Sequence, residues 1–479
     1  MGSMTPGDPP AHDSRWLGAT ELTHAYADGL DPTEVASLLL ELAEAEPTNA
    51  FCLLDPETTL EQARASADRW RAGEQRGPLD GVPMTIKDLI LTRGWPTLRG
   101  SNLIRPDSDP WQVDAPAVAR LREAGAVLLG KVATPEFGWK GVADSPRTGI
   151  STNPWDTSRT CGGSSGGSAS AVAQGLGVGS VGTDGGGSVR IPGGFCGVVA
   201  FKPTYGRIPL WPASPYGTLA HAGPMTRTVA DAAIMLDVLA GPDARDWSAL
   251  PPPVGSFAEA AGAADVAGLR IAWSPDLGYG VNDPQVLETV QRAVAALADA
   301  GAVVEQVDLQ LGDPVWAYHT LWFAGALAVV NGYGPGAMER IDPNLADAIA
   351  RYGHTSSQDY LRAVDCRMAL GQRFGALHET YDVLLTPTLP GVAFEAGVDV
   401  PAGSAVRDWT SWTPYSYPFN LTQQPAITVP CGVVDGLPVG LQVVGPRHGD
   451  ATVVRVAAAY EQIGGWEGLG GTTKGSGQG

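Results

Sequence analysis

The 479-residue sequence predicts an α/β fold with a large central sheet. Short apolar segments between glycines and prolines, which are typical of strands, alternate with segments in which apolar residues recur three and four positions apart, which are typical of helices. This alternation favours an α/β fold over a helical bundle. The 62 glycines and 39 prolines indicate many turns as well.

The elements of the first half follow this pattern in order. Residues 19–72 have helical periodicity, and DPTEVASLLLELAEAEP begins with a capping aspartate. The period then changes in GPLDGVPMTIKDLI, where a short apolar run predicts a buried strand: Val82, Met84, Ile86 and Leu89. APAVARLREAGAVLLGKV predicts a helix and then a strand, SGGSASAVAQGLG a helix of small residues, and VGSVGTD a further strand.

The second half is richer in helix until strands return near its end. The segment 242–255, PDARDWSALPPPVG, could separate two lobes or form a surface loop. Residues 256–380 are predicted to be helix-rich, whereas VLLTPTLP and PAITVPCGVVDGLPVGLQVVGP have strand character. We therefore predict a single domain over residues 1–479, with strands from both ends in one sheet. Residues 466–479 are expected to form a loose tail.

Composition excludes several classes of protein. The net charge is −20 and the pI about 4.7, so the chain repels phosphate backbones and is not expected to bind nucleic acid. The sequence has no apolar signal core and no run of about 18 apolar residues, so no membrane segment is predicted. Five scattered cysteines argue against a disulfide scaffold and a zinc site. These features predict a cytoplasmic protein without a metal.

The segment GTDGGGSVR, residues 182–190, places one serine beside a run of glycines. A serine hydroxyl becomes a nucleophile when a base removes its proton, and backbone N–H groups can hold the oxyanion that follows. Glycines let such a backbone turn sharply and approach a ligand closely. In this interpretation Ser188 attacks and the N–H groups of Gly185, Gly186 and Gly187 bind the oxyanion. The alternative is a glycine-rich loop packed against a helix.

A second serine-rich segment, GGSSGGS at 162–168, precedes a predicted helix. Helix N-termini favour serine as a cap. Ser165 and Ser168 are the better candidates for this structural role, which leaves Ser164 open to a chemical one.

A base must be found for the serines. None of the seven histidines lies in a local motif beside them. Lys87, within MTIKDLI, could serve if it were buried and neutral, because desolvation lowers the pKa of a lysine. The alternatives are that Lys87 pairs with Asp88 or reaches the surface.

Two other glycine motifs lack the context that their usual functions need. GVGSVG, residues 177–182, fits GxGxxG but follows a helix and leads into a strand, the reverse of the order in a dinucleotide site. GGSSG, residues 162–166, fits GxSxG but follows the loop NPWDTSRTC, not the apolar strand of a nucleophile elbow. Neither a nucleotide cofactor nor an α/β-hydrolase fold is predicted.

Taken together, IKD at 86–88, GGSSGGSA at 162–169 and GTDGGGSVR at 182–190 resemble the amidase signature hydrolases. The likeness extends to DGVPMTIKD, GAVLLGKVATPEFG, TNPWDTSRT, GPMTRTVADAA and PFNLTQQPAITVPCG. Its core motifs lie in residues 78–240 and 380–448, on either side of a variable, helix-rich region at about 256–380. The resemblance implies the amidase signature fold, in which helices cover both faces of a large, mixed, mostly parallel central sheet.

The resemblance also implies a Ser–Ser–Lys triad. Ser188 matches the nucleophile that becomes acylated, Ser164 the bridging serine with its cis peptide bond, and Lys87 the terminal base. The glycines before Ser188 match the oxyanion hole, and Gly138 and Trp139 are expected to contact substrate. No metal and no organic cofactor is implied.

A few positions qualify this likeness. Asp184 and Arg190 are expected to support the nucleophile loop rather than to react. Gly185 stands where the family often has a larger residue, which would widen the oxyanion loop. Val-Ala at 132–133 replaces a frequent Thr-Asn, and Gln423 replaces a common glycine, so substrate preference stays open.

The expected substrate is a hydrophobic or aryl amide, with carbamates (urethanes) included. Trp139 and Trp211 lie near signature segments and could form aromatic walls or belong to ordinary packing. The alternative function is the amidase subunit of a glutamine-dependent tRNA amidotransferase, which acts with a partner subunit. The intact triad argues against a non-catalytic binding module. We expect a monomer or homodimer that binds a small molecule and neither nucleic acid nor membrane.

Overall fold

The structure, a computed structural model, describes residues 13–404, 406–464, 466 and 468. The predicted tail at 466–479 therefore lies almost wholly outside the described residues. The strands are β1 (Phe51–Leu54), β2 (Pro83–Lys87), β3 (Val127–Val132), β4 (Asp144–Ser145), β5 (Gly149–Ile150), β6 (Gly179–Asp184), β7 (Val199–Lys202), β8 (His221–Thr226), β9 (Arg270–Trp273), β10 (Val303–Gln306), β11 (Val383–Pro387), β12 (Ala426–Val434) and β13 (Leu437–Val444).

Helices connect most of these strands. They are α1 (Ala19–Ala27), α2 (Pro32–Ala45), α3 (Pro56–Ala72), α4 (Pro116–Glu123), α5 (Gly166–Ala173), α6 (Arg190–Cys196), α7 (Val229–Leu239), α8 (Phe257–Gly262), α9 (Pro284–Asp299), α10 (Val315–Asn331), α11 (Pro343–Tyr352), α12 (Ser357–His378), α13 (Pro418–Leu421) and α14 (Asp450–Gly464). None of the helices in the described ranges is both long and apolar enough to cross a lipid bilayer.

An Asp-Pro pair begins several of the helices. The side chains of Asp31, Asp55 and Asp283 each accept a backbone N–H in the first turn of α2, α3 and α9, and proline fills the first helical position. The carboxylate satisfies an N–H that has no partner within the helix, and proline has no N–H to lose there. The boundaries of these helices can therefore be predicted from local sequence.

In the described part of the chain, eleven strands form one sheet in the order β1-β3-β2-β6-β8-β7-β12-β13-β11-β9-β10. Strands from both ends of the chain meet where β7 pairs with β12. The predicted α/β fold with a large mixed sheet is confirmed. Parallel pairing is found for β2 with β3 and β6, and for β9 with β10 and β11.

The remaining neighbours in this sheet are antiparallel, and for β12 and β13 the sequence gives the reason. Asp435 and Gly436 form the whole connection, with φ of 51° and 78°. An Asp-Gly turn with both residues at positive φ joins antiparallel strands in a tight hairpin. This turn accounts for the antiparallel pairing of β12 with β13.

Alternating residues of the central strands contribute to two separate cores. In β9, Ile271 belongs to one apolar cluster and its neighbour Ala272 to the other. Successive side chains of a strand point to opposite faces of the sheet, so the two clusters lie on opposite faces. Residues of α7, α9 and α14 complete the first cluster, and residues of α10, α11 and α12 complete the second. Helices thus cover both faces, as predicted.

The region at 256–380 contains more strand than the sequence predicts. Its helices are interrupted by β9 and β10, each only four residues long. The strand β10 lies at the edge of the sheet and is largely exposed, so it has no apolar run that would reveal it. The segment 242–255 is irregular and exposes Trp247 and Val254, as a surface loop does.

Candidate active site

Lys87 lies at the end of β2, a strand between β3 and β6 that is buried along its whole length. The side chain is fully buried. Its Nζ lies 2.7 Å from Ser164 Oγ, 2.8 Å from Ser165 Oγ and 2.9 Å from Thr183 Oγ1. It neither reaches the surface nor pairs with Asp88, whose carboxylate lies 3.3 Å from Lys131 Nζ.

Burial lowers the pKa of Lys87 well below its usual value, and the negative charge of Asp184 opposes this shift only in part. A neutral amine fits the surrounding hydrogen bonds. The Ser165 hydroxyl donates to Thr183 O at 3.1 Å, so its oxygen can accept one N–H of Lys87, and Thr183 Oγ1 can accept the other. The lone pair then faces Ser164 Oγ. A neutral Lys87 can therefore accept the proton of Ser164.

The loop before α5 holds both partner serines. Gly163–Ser164 is a cis peptide bond, and Ser164 is 2% exposed. Ser165 occupies the N-cap position of α5 but makes no side-chain capping bond, because its hydroxyl binds Lys87 and Thr183. Ser168 Oγ is buried without a hydrogen-bond partner among the described residues. The predicted capping role is therefore wrong for both side chains.

Ser188 lies in the turn between β6 and α6 and is 3% exposed. It lines the same cavity as Ser164. Its carbonyl oxygen accepts the N–H of Ser165 at 3.0 Å, which joins the two loops. No hydrogen bond between Ser188 Oγ and Ser164 Oγ is present in the described part of the chain.

The loop that carries Ser188 is held by a buried ion pair. Asp184 and Arg190 contact each other through two hydrogen bonds of 3.0 Å, and both side chains are fully buried. Arg190 also donates to Gln442 and Asn420. Burial alone would raise the pKa of Asp184, but the Arg190 charge and hydrogen bonds hold it well below its usual range. Asp184 and Arg190 thus support the loop, as predicted.

The three glycines proposed for the oxyanion hole differ in whether their backbone N–H is available. The N–H of Gly187 donates to Asp184 Oδ1 at 2.8 Å and is therefore already used. No protein group in the described ranges accepts the N–H of Gly185 or Gly186, and Gly185 lines the cavity. The prediction thus fails for Gly187, because its N–H is hydrogen-bonded to the Asp184 carboxylate beneath the loop.

The cavity over the two serines has mostly apolar walls. Aromatic and aliphatic side chains come from several distant segments of the chain, namely Leu89, Ile90, Phe137, Trp211, Tyr216 and Trp322. The rings of Tyr216 and Trp322 are stacked, with centroids 3.7 Å apart. Such a wall favours an apolar or aromatic group beside the attacked bond.

Known proteins show the same fold and sequence features. The amidase family model matches residues 34–454. The chain belongs to the amidase signature family. It is 39% identical to an acylamidase from Rhodococcus erythropolis over 464 residues, which cover 94% of this chain and 96% of the relative. It is 35% identical to a glutamyl-tRNA(Gln) amidotransferase subunit from Chloroflexus aggregans over 480 residues, which cover 94% of each.

Solved structures of amidase signature enzymes superpose on most of the chain. A bacterial aryl acylamidase of this family matches with a TM-score of 0.88 at 28% identity, over 94% of this chain and 97% of its own. The 6-aminohexanoate cyclic dimer hydrolase in complex with substrate matches with a TM-score of 0.86 at 27% identity, over 94% and 98%. The chain is thus an amidase-type hydrolase with the full family fold.

Within this amidase, the two residues expected to contact substrate differ in position. Gly138 lines the cavity, and a Cβ at this position would lie 3.2 Å from Ser164 Oγ and only 2.7 Å from Leu89 Cδ1. Trp139 lies outside the cavity. Its indole N–H donates to Asp342 at 3.3 Å, so its ring belongs to the packing beneath the wall.

Several lining residues have no local sequence signal. Trp322 lies in α10, inside the variable region, and Tyr216 follows an irregular segment. Only the tertiary fold brings them to the serines. Trp211, by contrast, lies near a signature segment, and it lines the cavity.

Proposed function

We propose that this amidase hydrolyses amides with a hydrophobic or aryl group through an acyl-enzyme on Ser188. The apolar, aromatic cavity directly over Ser164 and Ser188 carries this proposal. An aryl or alkyl group would lose its contact with water against the stacked Tyr216 and Trp322 rings, which stabilises the bound substrate.

The proposed chemistry begins at the neutral Lys87. Ser164 gives its proton to Lys87 and takes the proton of Ser188, while Ser188 Oγ forms a bond to the amide carbon. Catalytic hydrogen bonds often shorten only when substrate binds, and this step requires Ser188 Oγ to approach Ser164 Oγ. Free backbone N–H groups at Gly185 and Gly186 would stabilise the oxyanion.

The second half of the reaction reverses the direction of proton transfer. Protonated Lys87 returns a proton through Ser164 to the leaving nitrogen, and the C–N bond breaks to give the acyl-enzyme and an amine. Water then attacks the acyl carbon with the same general-base assistance and releases the acid. This sequence requires neither a metal nor an organic cofactor.

The relatives support this substrate class. One is named an acylamidase, and a solved structural neighbour is named an aryl acylamidase. We also propose carbamates as substrates, because their carbonyl group can be attacked in the same way. We further propose that the chain acts as one catalytic domain in the cytoplasm, as a monomer or homodimer.

The second candidate is the amidase subunit of a tRNA amidotransferase, which the amidotransferase relatives favour. Free glutamine has an ammonium and a carboxylate group, and each needs an opposite charge when it is bound away from water. Among the described residues that line the cavity, no Asp or Glu is present to bind the ammonium group. The cavity therefore favours the acylamidase function.

A small panel tests the proposal. Purified protein is expected to release aniline from acetanilide and 4-nitroaniline from 4-nitroacetanilide, with Ser188→Ala as the inactive control. Trp211→Ala should lower kcat/KM for these anilides about tenfold, because about 1–2 kcal/mol of aromatic contact is lost. Trp247→Ala, a substitution on the exposed loop, should leave kcat/KM for the anilides unchanged. Activity confined to glutamine or to short aliphatic amides would contradict the proposal.

A further inference from the structure

Arg99 is the only charged residue among those that line the cavity in the described part of the chain. It is half-buried. Its guanidinium makes no hydrogen bond and no ion pair with the described residues. The other described side chains that line the cavity are uncharged, so none of them is a counter-ion for this cation.

The backbone holds Arg99 in a fixed position on the cavity wall. Arg99 and Phe137 both have positive φ, 55° and 54°. The N–H of Phe137 donates to Arg99 O at 2.8 Å, and the N–H of Arg99 donates to Asp88 O at 3.1 Å. A side chain at such φ costs about 1–2 kcal/mol. These bonds connect Arg99 to the segment that holds Gly138 against Ser164.

An acidic side chain of the same segment already has other partners. Glu136 adjoins Phe137, and its carboxylate accepts the Ser101 hydroxyl at 2.6 Å and the N–H of Asp342 at 2.5 Å. In the part of the chain that the structure describes, the partners of the Glu136 carboxylate are these two groups and not Arg99. The positive charge at the cavity wall is thus left for a ligand, in a chain whose net charge of −20 otherwise repels anions.

We propose that Arg99 binds a carboxylate group of the substrate, at a distance from the scissile amide. A guanidinium presents paired N–H donors that match the two oxygens of a carboxylate. The inference rests on the proposed amidase function and narrows it to amides with an apolar body and one anionic end.

The test uses substrate pairs that differ in charge but little in shape. On the amine side, 4-acetamidobenzoate is compared with 4-nitroacetanilide. On the acyl side, N-phenylsuccinamate is compared with N-phenyl-4-oxopentanamide. Each pair is measured with the wild type, Arg99→Gln and Arg99→Lys. Arg64→Gln, which removes an exposed arginine of α3, is the matched control.

For at least one pair, the wild type is expected to prefer the carboxylate. Arg99→Gln should lower kcat/KM for the carboxylate about 10- to 100-fold, mainly by raising KM. For the neutral member of the pair, kcat/KM should change less than threefold. Arg99→Lys should keep part of the preference, because the charge remains without the paired donors. Arg64→Gln should change nothing. The inference would be overturned if Arg99→Gln lowered kcat/KM equally for both members of each pair, or lowered it for neither.

A binding measurement separates this inference from the proposed function. Ser188→Ala and Ser188→Ala/Arg99→Gln are titrated calorimetrically with the same two carboxylates. Tighter binding by the protein that retains Arg99 would support the anion site, whether or not the wild type hydrolyses anilides. A failure to hydrolyse anilides would contradict only the proposed function. Equal affinities of the two proteins for both carboxylates would contradict the anion site.

Discussion

Lys87 Nζ and Ser164 Oγ are 2.7 Å apart at the end of β2, where neither residue is more than 2% exposed. Burial favours the uncharged lysine because a charged amine loses its hydration there. The hydrogen bonds of Ser165 and Thr183 orient the amine so that its lone pair faces Ser164. This pair is the feature on which the proposed chemistry depends.

The first prediction concerns the pH dependence. Only neutral Lys87 can accept a proton, so kcat/KM should rise with pH and level off well below 10.5, the usual pKa of lysine. Lys87→Met should abolish this rise and lower kcat/KM by at least about 100-fold. Rates measured from pH 5 to 10 check both effects, with circular dichroism as the control for folding. A Lys87→Met profile that matches the wild type would exclude Lys87 as the base.

The second prediction separates two serines of one loop. Ser164→Ala should lower kcat by about 100- to 10,000-fold, because the proton path to Lys87 is lost. Ser168→Ala should leave kcat within about twofold of the wild type. Its free energy of unfolding should be equal or higher, since the substitution removes a buried hydroxyl that has no hydrogen-bond partner among the described residues. Steady-state kinetics and urea unfolding test the pair. Similar losses of kcat in Ser164→Ala and Ser168→Ala would argue against the bridging role of Ser164.

The third prediction concerns the contact between Gly185 and Trp322. A Cβ at Gly185 would meet Trp322 Cζ3 at 2.5 Å, although the φ of Gly185 suits any residue. Gly185→Ala should therefore displace the ring and cost about 1–3 kcal/mol of stability, with at least a tenfold loss of kcat/KM on anilides. Adding Trp322→Leu should restore part of this activity. Purely additive effects in the double-mutant cycle would contradict a steric cause.

The fourth prediction concerns the buried ion pair. Asp184→Asn should lower the free energy of unfolding by about 3–5 kcal/mol at pH 7, because Arg190 keeps its charge without a counter-ion. The pKa of Asp184 is lowered in the folded state, so its stabilising effect is present at neutral pH and declines only as the pH falls below 3.8. Denaturant unfolding at pH 5, 6 and 7 should show a constant difference from the wild type. A difference that vanishes by pH 5 would contradict this interpretation.

The sequence is most informative where chemistry depends on local motifs. Lys87, Ser164 and Ser188 lie in short motifs that resemble the amidase signature. In the structure Lys87 contacts Ser164, and Ser164 and Ser188 line one cavity. The failed prediction for Gly187 has a physical cause. Whether its N–H is free depends on Asp184, whose orientation is set by Arg190 and Asn420, and no local pattern reveals that network.

The walls of the cavity could not be predicted from the sequence in the same way. Trp139 and Trp322 have the same residue type, yet only Trp322 lines the cavity, and its indole N–H donates to Trp139 O at 3.2 Å. Which of the two faces the substrate depends on how α10 packs over the nucleophile loop. Arg99 likewise has no motif, because its position depends on a backbone bond to Phe137.

The most direct test of the central claim is to identify the residue that becomes acylated. The protein is incubated with a fluorophosphonate or a slowly hydrolysed aryl ester, digested, and mapped by tandem mass spectrometry. The proposed mechanism predicts one adduct, on Ser188, which forms much more slowly in Ser164→Ala and Lys87→Met. An adduct on another residue, or labelling of Ser188 at an equal rate without Lys87, would contradict it.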